Sequence, residues 1–188
     1  EEANDRDYFA CGKSRSASDV VWRTAFRAEA SKSGGCHVAA VFWDASSFFQ
    51  MLRHQAILTR SRDTGFPMYM ARVAIRMYRS PRRLKLGRLF AGKAITPSRG
   101  VATGCHWATT IVKVYCVIPF DHVVRAHPQI GFDIYIDDIQ MSAAGVKSEK
   151  VVLEAICDAA RDMKATVNDE LIADLASAKG AVVASSKA

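Results

Sequence analysis

The sequence predicts a single α+β domain: an antiparallel sheet of three to four strands backed by helices. Three observations carry that expectation. A chain of 188 residues, 49% apolar and 24% charged, holds enough apolar surface for one core and is short for two. Two short apolar runs, Val38–Trp43 and Phe132–Ile136, each end in acid, Asp44 after the first and Asp137-Asp138 after the second. The second run is followed at once by Ile139-Gln140-Met141, which reads as an antiparallel return strand. The same composition excludes a disordered, collagen-like or disulfide-scaffold chain.

The elements follow in order. Ser16 to Glu29 reads as a helix with Ser18 as its N-cap and Val21, Trp22, Ala25 and Phe26 on its apolar face; Gly34-Gly35 ends it. After the strand closed by Asp44, Phe48 to Leu58 is expected to form a second helix, and Pro67 opens a third that runs to Arg79. Arg82 to Phe90 alternates loosely between basic and apolar residues, as an exposed hairpin does. Pro97 to Gly104 is a turn-rich loop leading into a helix expected to end near Tyr115. Beyond the acidic hairpin, helices are expected over Ser148–Lys164 and Asn168–Ala178, then a last strand over Ala181–Ala184.

Lys and Arg number 26 against 19 Asp and Glu, a net charge of +7 that favours phosphate-bearing partners, nucleic acid first. The five cysteines (Cys11, Cys36, Cys105, Cys116 and Cys157) are odd in number and widely spaced, with no CxxC, which points to a reducing intracellular compartment, nucleus or cytoplasm. The dipeptides Cys36-His37 and Cys105-His106 do not make a zinc site, because such a site needs four converging ligands; buried cysteines are the simpler reading. The charged N-terminus lacks a signal-peptide core, and the longest apolar stretch, Cys105 to Phe120, is interrupted by His106 and Lys113 and too short to span a bilayer. No membrane partner is expected. The chain starts without Met and is read as a piece of something longer.

Strand alternation puts Asp133, Tyr135 and Asp137 on one face and Phe132, Ile134 and Ile136 on the other, so the acidic face is expected to look into a cleft. Adjacent carboxylates repel unless a cation joins them, and Mg²⁺ bridges carboxylates to substrate phosphates. Two such ions, about 3.5–4 Å apart, activate a 3′-hydroxyl and stabilise a leaving pyrophosphate. A surface Asp-Asp turn is the alternative.

The run Phe42-Trp43-Asp44-Ala45-Ser46-Ser47-Phe48-Phe49, then Arg99-Gly100-Val101-Ala102-Thr103-Gly104-Cys105, then Tyr135-Ile136-Asp137-Asp138 resembles motifs A, B and C of a reverse transcriptase, above all the polymerase domain of non-LTR retrotransposons. Lys179 to Lys187 is similar to motif D, and Gly12 to Asp19 resembles the fingers segment before motif A. The resemblance implies partial fingers over residues 1–37 and a polymerase palm, motifs A to D, over 38–188, with no thumb. It implies RNA-directed DNA synthesis, by two-metal transfer of a nucleotide from dNTP to a primer 3′-hydroxyl.

Residue roles follow from the same resemblance. Asp44, Asp137 and Asp138 are the catalytic carboxylates and the ligands of two Mg²⁺ (or Mn²⁺) ions; successive strand residues point apart, which makes Asp137 the safer ligand of the adjacent pair. Phe49 stands where the family keeps an aromatic gate beneath the nucleotide sugar, with a core aromatic as the alternative. Gly100 and Gly104 let the backbone approach the nascent base pair, and Arg99 contacts template or nucleotide, or else an acid. Lys13 and Arg15 are placed against triphosphate or template, and Lys187 against the leaving pyrophosphate. The basic surplus of Arg72, Arg76, Arg79, Arg82, Arg83, Lys85 and Arg88 would meet nucleic-acid phosphates.

The implied partners are an RNA template, a DNA primer, a dNTP, and the fingers, thumb or endonuclease domains of a longer polyprotein. Thr103 stands where motif B has Gln, His106-Trp107-Ala108 where it has Pro-Leu-Ser, and Gln50 where motif A ends in Asp. Two alternatives therefore stay open: a catalytically inactive nucleic-acid-binding remnant, and an RNA-dependent RNA polymerase palm.

Overall fold

The computed structural model describes residues 4–12, 14–90, 92–176 and 178–185. The elements are α1 (Ala17–Ser33), β1 (His37–Ser46), α2 (Phe48–Met51), α3 (His54–Asp63), α4 (Met68–Tyr78), β2 (Lys85–Leu86), β3 (Leu89–Phe90), α5 (Ala108–Ala126), β4 (Gly131–Tyr135), β5 (Asp138–Val146), α6 (Glu149–Ala165), β6 (Asp174–Leu175) and β7 (Ala181–Ala184). The fold is α+β, as expected, with all strand pairings antiparallel.

The main sheet runs β4-β5-β1, and the far edge of β1 is shared by β6 near its C-terminal end and β7 along its middle. The sheet thus has five strands where three to four were expected. The last strand forms over Ala181–Ala184 as expected, and the added one, β6, is short and falls where a helix was expected. On one face of the sheet, Ala39, Val41, Ala45, Phe132, Ile134, Ile139 and Met141 are buried with α5 and α6 in the main core. α6 presents Val152, Ile156, Ala159 and Met163 at helical spacing to it. α5 contributes Ile111, Val114, Tyr115, Val117, Phe120 and Val123, and it runs on past the expected end at Tyr115. Pro119 interrupts only one backbone bond, and it is buried with Val117 and Phe120, so packing carries the helix through.

α1 crosses the opposite face. Its cap is Ser16, not Ser18: the Ser16 N–H donates to Asp19 Oδ2 at 2.7 Å. The expected inward face is turned out, with Val21, Trp22 and Phe26 exposed. α1 is held by polar contacts instead. Arg23 and Arg27 pair with Asp133 at 2.8 and 3.2 Å, and Gln140 Nε2 donates to Thr24 Oγ1. Asp133 is therefore buried beneath a helix, and it still lines the cleft that the acidic face was expected to look into, beside Tyr135 and Asp138. Burial raises its pKa, against the pull of the two arginines.

The expected helix from Phe48 to Leu58 is two, broken at Leu52-Arg53. Past α6, a wide π-turn over Thr166–Glu170 leads into β6, so the helix expected over Asn168–Ala178 does not form. The N-terminal segment covers the outer edge of β4: Ile134 N–H donates to Tyr8 O at 2.7 Å and Ala10 N–H to Ile134 O at 2.8 Å. No helix among the described residues is long and apolar enough to cross a membrane. The described cysteines are all free.

Candidate active site

The acids gather where the β1–β5 ladder ends. Asp44 on β1 and Asp138 on β5 are cross-strand partners, the last pair of the register, so both side chains leave the same face of the sheet. They line a cleft of about 250 Å³ together with Phe42, Tyr135, Gln140 and, from α1, Ala17 and Val20. Asp137 lies outside the strand, in the two-residue turn with Ile136 that joins β4 to β5. Strand alternation was expected to carry through Asp137 and does not. The strand stops at Tyr135, alternation restarts at Asp138, and it is Asp138 that stands opposite Asp44.

The turn is tied down and strained. Its Asp137 carbonyl accepts the Ala45 N–H at 2.9 Å, which fixes the hairpin tip to β1. Ile136 has φ of 62°, a left-handed conformation that costs a β-branched residue roughly 1–2 kcal/mol. Strain of this kind is retained where surrounding contacts over-determine the backbone, commonly at functional sites.

Charge concentrates on the three acids. The Asp138 carboxyl titrates above the usual carboxylate range, because burial disfavours its charge and because Asp137 and Asp44 repel it. Lys179, between β6 and β7, donates from Nζ to Asp44 Oδ2, and that bond with the fields of all three acids pushes the lysine up. Among the described residues, no three His, Cys, Asp or Glu side chains are gathered closely enough to hold a metal ion as placed. The donor chemistry is that of a hard divalent cation's ligands: two facing carboxylates and a third in the adjoining turn, with the Lys179 ammonium now on Asp44.

The segment after β1 and the loop after Ser98 are locked together. Phe49, on α2, is half-buried and packs against the core. Its carbonyl accepts the Val101 N–H at 2.8 Å, and Leu52 O accepts the Gly100 N–H at 2.8 Å. Gly100 has φ of 93°, and a Cβ there would meet Gln50 O at 3.2 Å; its freedom is used against the protein's own backbone. Gly104, at φ 81°, faces open space. His54 Nε2 stands 2.8 Å from Gly100 O and fastens the loop further.

None of the remaining expected residues that the structure describes lines the cleft. Arg99 is exposed and pairs through its backbone with Arg53. Arg15 is engaged by the N-terminal segment, donating to Phe9 O at 3.1 Å and pairing with Asp7 at 3.1 Å. Lys13 and Lys187 fall outside the described residues. Arg82, Arg83, Lys85 and Arg88 are all exposed on or beside the β2–β3 hairpin, where Lys85 Nζ lies 5.5 Å from the centre of the Phe90 ring. Sequence reasoning missed Lys179 and His54. The signal for Lys179 was present, a lysine directly before the Gly180 that opens the last strand; nothing local distinguishes His54.

No protein-family model matches the chain, and no curated protein matches it. Solved structures do. Apo telomerase from Candida tropicalis, truncated from its C-terminal domain, superimposes with a TM-score of 0.63 at 11% identity, over 92% of this chain and 36% of the telomerase chain. The fold is reverse-transcriptase-like. Telomerase from Candida albicans in complex with a TWJ fragment of telomeric RNA gives a TM-score of 0.55 at 10% identity, over 92% of this chain and 31% of that one. The corresponding Candida tropicalis complex gives 0.63 at 12% identity, over 89% and 29%. The chain thus spans about a third of the telomerase chains it matches.

Proposed function

We propose that the chain carries the catalytic centre of an RNA-directed DNA polymerase of the non-LTR retroelement kind, extending a DNA primer on an RNA template. The observation that carries this reading is the facing pair Asp44 and Asp138, with Asp137 in the next turn, at the end of the sheet of a reverse-transcriptase-like fold. Asp44, Asp138 and Asp137 would hold two Mg²⁺ (or Mn²⁺) ions, with substrate phosphates completing the coordination. When bound, the ions make the primer 3′-hydroxyl more acidic and neutralise charge on the leaving pyrophosphate.

The chain's own groups do the rest. The Asp137 carbonyl bond to Ala45 and the β1–β5 ladder hold the carboxylates in register, so little reorganisation is needed on binding. Phe49, fixed through its carbonyl to Val101, borders the sugar site and excludes a 2′-hydroxyl. Arg72, Arg76 and Arg79 form an exposed stripe along α4 and its end, and the β2–β3 hairpin adds Arg82, Arg83, Lys85 and Arg88; together these track nucleic-acid phosphates. The test is primer extension with dNTPs against NTPs on RNA and DNA templates. DNA synthesis on an RNA template supports the reading, RNA synthesis would make the chain an RNA polymerase palm, and no synthesis by a chain that still binds template would make it an inactive remnant.

A further inference from the structure

We infer that Lys179 is a built-in counter-ion that competes with divalent metal for Asp44. The inference rests on the proposed carboxylate site and adds a residue that regulates its loading. Lys179 Nζ donates to Asp44 Oδ2, the oxygen lone pairs a bridging cation would need. A carboxylate oxygen so engaged cannot serve a metal at full strength, and an ammonium beside it repels a second cation.

Geometry makes the contact displaceable. The Lys179 side chain is 70% exposed and that of Asp44 is 19% exposed, so the ammonium can return to water while the carboxylate stays in the cleft. The backbone beneath it is fixed: Ala176 N–H donates to Asp44 O at 2.8 Å, and Lys179 and Gly180 N–H both donate to Ala176 O, at 3.0 and 3.1 Å. Gly180 sits against Trp43, where a Cβ would lie 3.1 Å from the indole. The backbone at Ala176, Lys179 and Gly180 is therefore held, and the side chain alone moves. Without metal, Lys179 partly neutralises three crowded acids. With metal, it must leave Asp44.

The experiment measures Mn²⁺ binding to the full chain without nucleotide, by the electron paramagnetic resonance of free Mn²⁺. Lys179→Met should tighten binding about fivefold, the fold-change of an exposed ion pair's removal, while Lys179→Arg stays near wild type. Asp44→Asn should weaken binding and abolish the gain in the double variant. Equal affinity of wild type and Lys179→Met, with Asp44→Asn weakening both, overturns the role of Lys179 and leaves the carboxylate site standing. Binding indifferent to Asp44→Asn overturns the site and the inference together. A second measurement needs no variant: the ¹⁵Nζ resonance of Lys179 should move toward that of a free lysine on adding Mg²⁺, and an unmoved resonance under saturating Mg²⁺ overturns the competition.

Discussion

Asp44 and Asp138 face each other as the final pair of the β1–β5 ladder, and the turn just before Asp138 is bonded back to β1 at Ala45. The pairing explains how two distant segments of sequence bring charge to one place without a loop between them. Each acid is set by strand register, and a slip of one residue in either strand would turn that strand's acid to the other face. The site is thus a property of the sheet.

The loop after Ser98 depends on Gly100 for the same kind of fixation. Gly100→Ala places a Cβ 3.2 Å from Gln50 O at a φ of 93°, so stability should fall by about 1–2 kcal/mol, read from urea denaturation. Gly104→Ala, at a φ of 81° with nothing within 4 Å, should cost less. Equal losses would mean that contact with the Gln50 backbone is unimportant.

Phe49 is the test of substrate choice. Phe49→Val removes the ring while leaving Asp44 and Asp138 in place, and ribonucleotide use relative to deoxynucleotide use should rise by about tens-fold. Steady-state incorporation of matched ribo- and deoxynucleotides by an active form measures it. A lower melting temperature with an unmoved ratio would make Phe49 a core residue only.

The exposed basic residues should make binding depend on salt. If about four of Arg72, Arg76, Arg79, Arg82, Arg83, Lys85 and Arg88 meet duplex phosphates, log affinity falls against log salt with a slope near −3 to −4. Charge reversal at Arg82 and Arg83 should flatten the slope by about two units, measured by fluorescence anisotropy. An unchanged slope would leave the hairpin as solvated surface.

Asp19 gives α1 a pH dependence of known sign. Its carboxylate accepts from the Ser16 N–H and hydroxyl, which lowers its pKa in the folded chain. A lowered pKa contributes stability that is present above about pH 4, the unfolded value, and is lost as pH falls through the folded one. Asp19→Ala should therefore melt below wild type at pH 7, with the difference closing under strong acid. A difference that grows on acidification would reverse the assignment.

Much of this architecture was legible in the residues. The strand ending near Asp44, the acidic hairpin, the basic hairpin and the helix after Ser148 all carry local signals, apolar periodicity bounded by turns and charge. The failures are tertiary. Val21, Trp22 and Phe26 share a helical face, but α1 turns its arginines inward because Asp133 on β4 offers a buried carboxylate to pair with. The alanine-rich stretch after Asn168 has helical propensity, yet Asp174 and Leu175 pair with Ala45 and Ser46 on the open edge of β1. Which of Asp137 and Asp138 opposes Asp44 depends on where the strand ends, a boundary that alternation alone does not set.

The most direct measurement is single-nucleotide extension of a DNA primer on an RNA template with Mg²⁺, comparing wild type with Asp44→Asn and Asp138→Asn. Removing a carboxylate that holds the reacting ions should slow incorporation by about a thousandfold or more in each variant, with template binding retained. Extension at the wild-type rate by either variant would contradict the account.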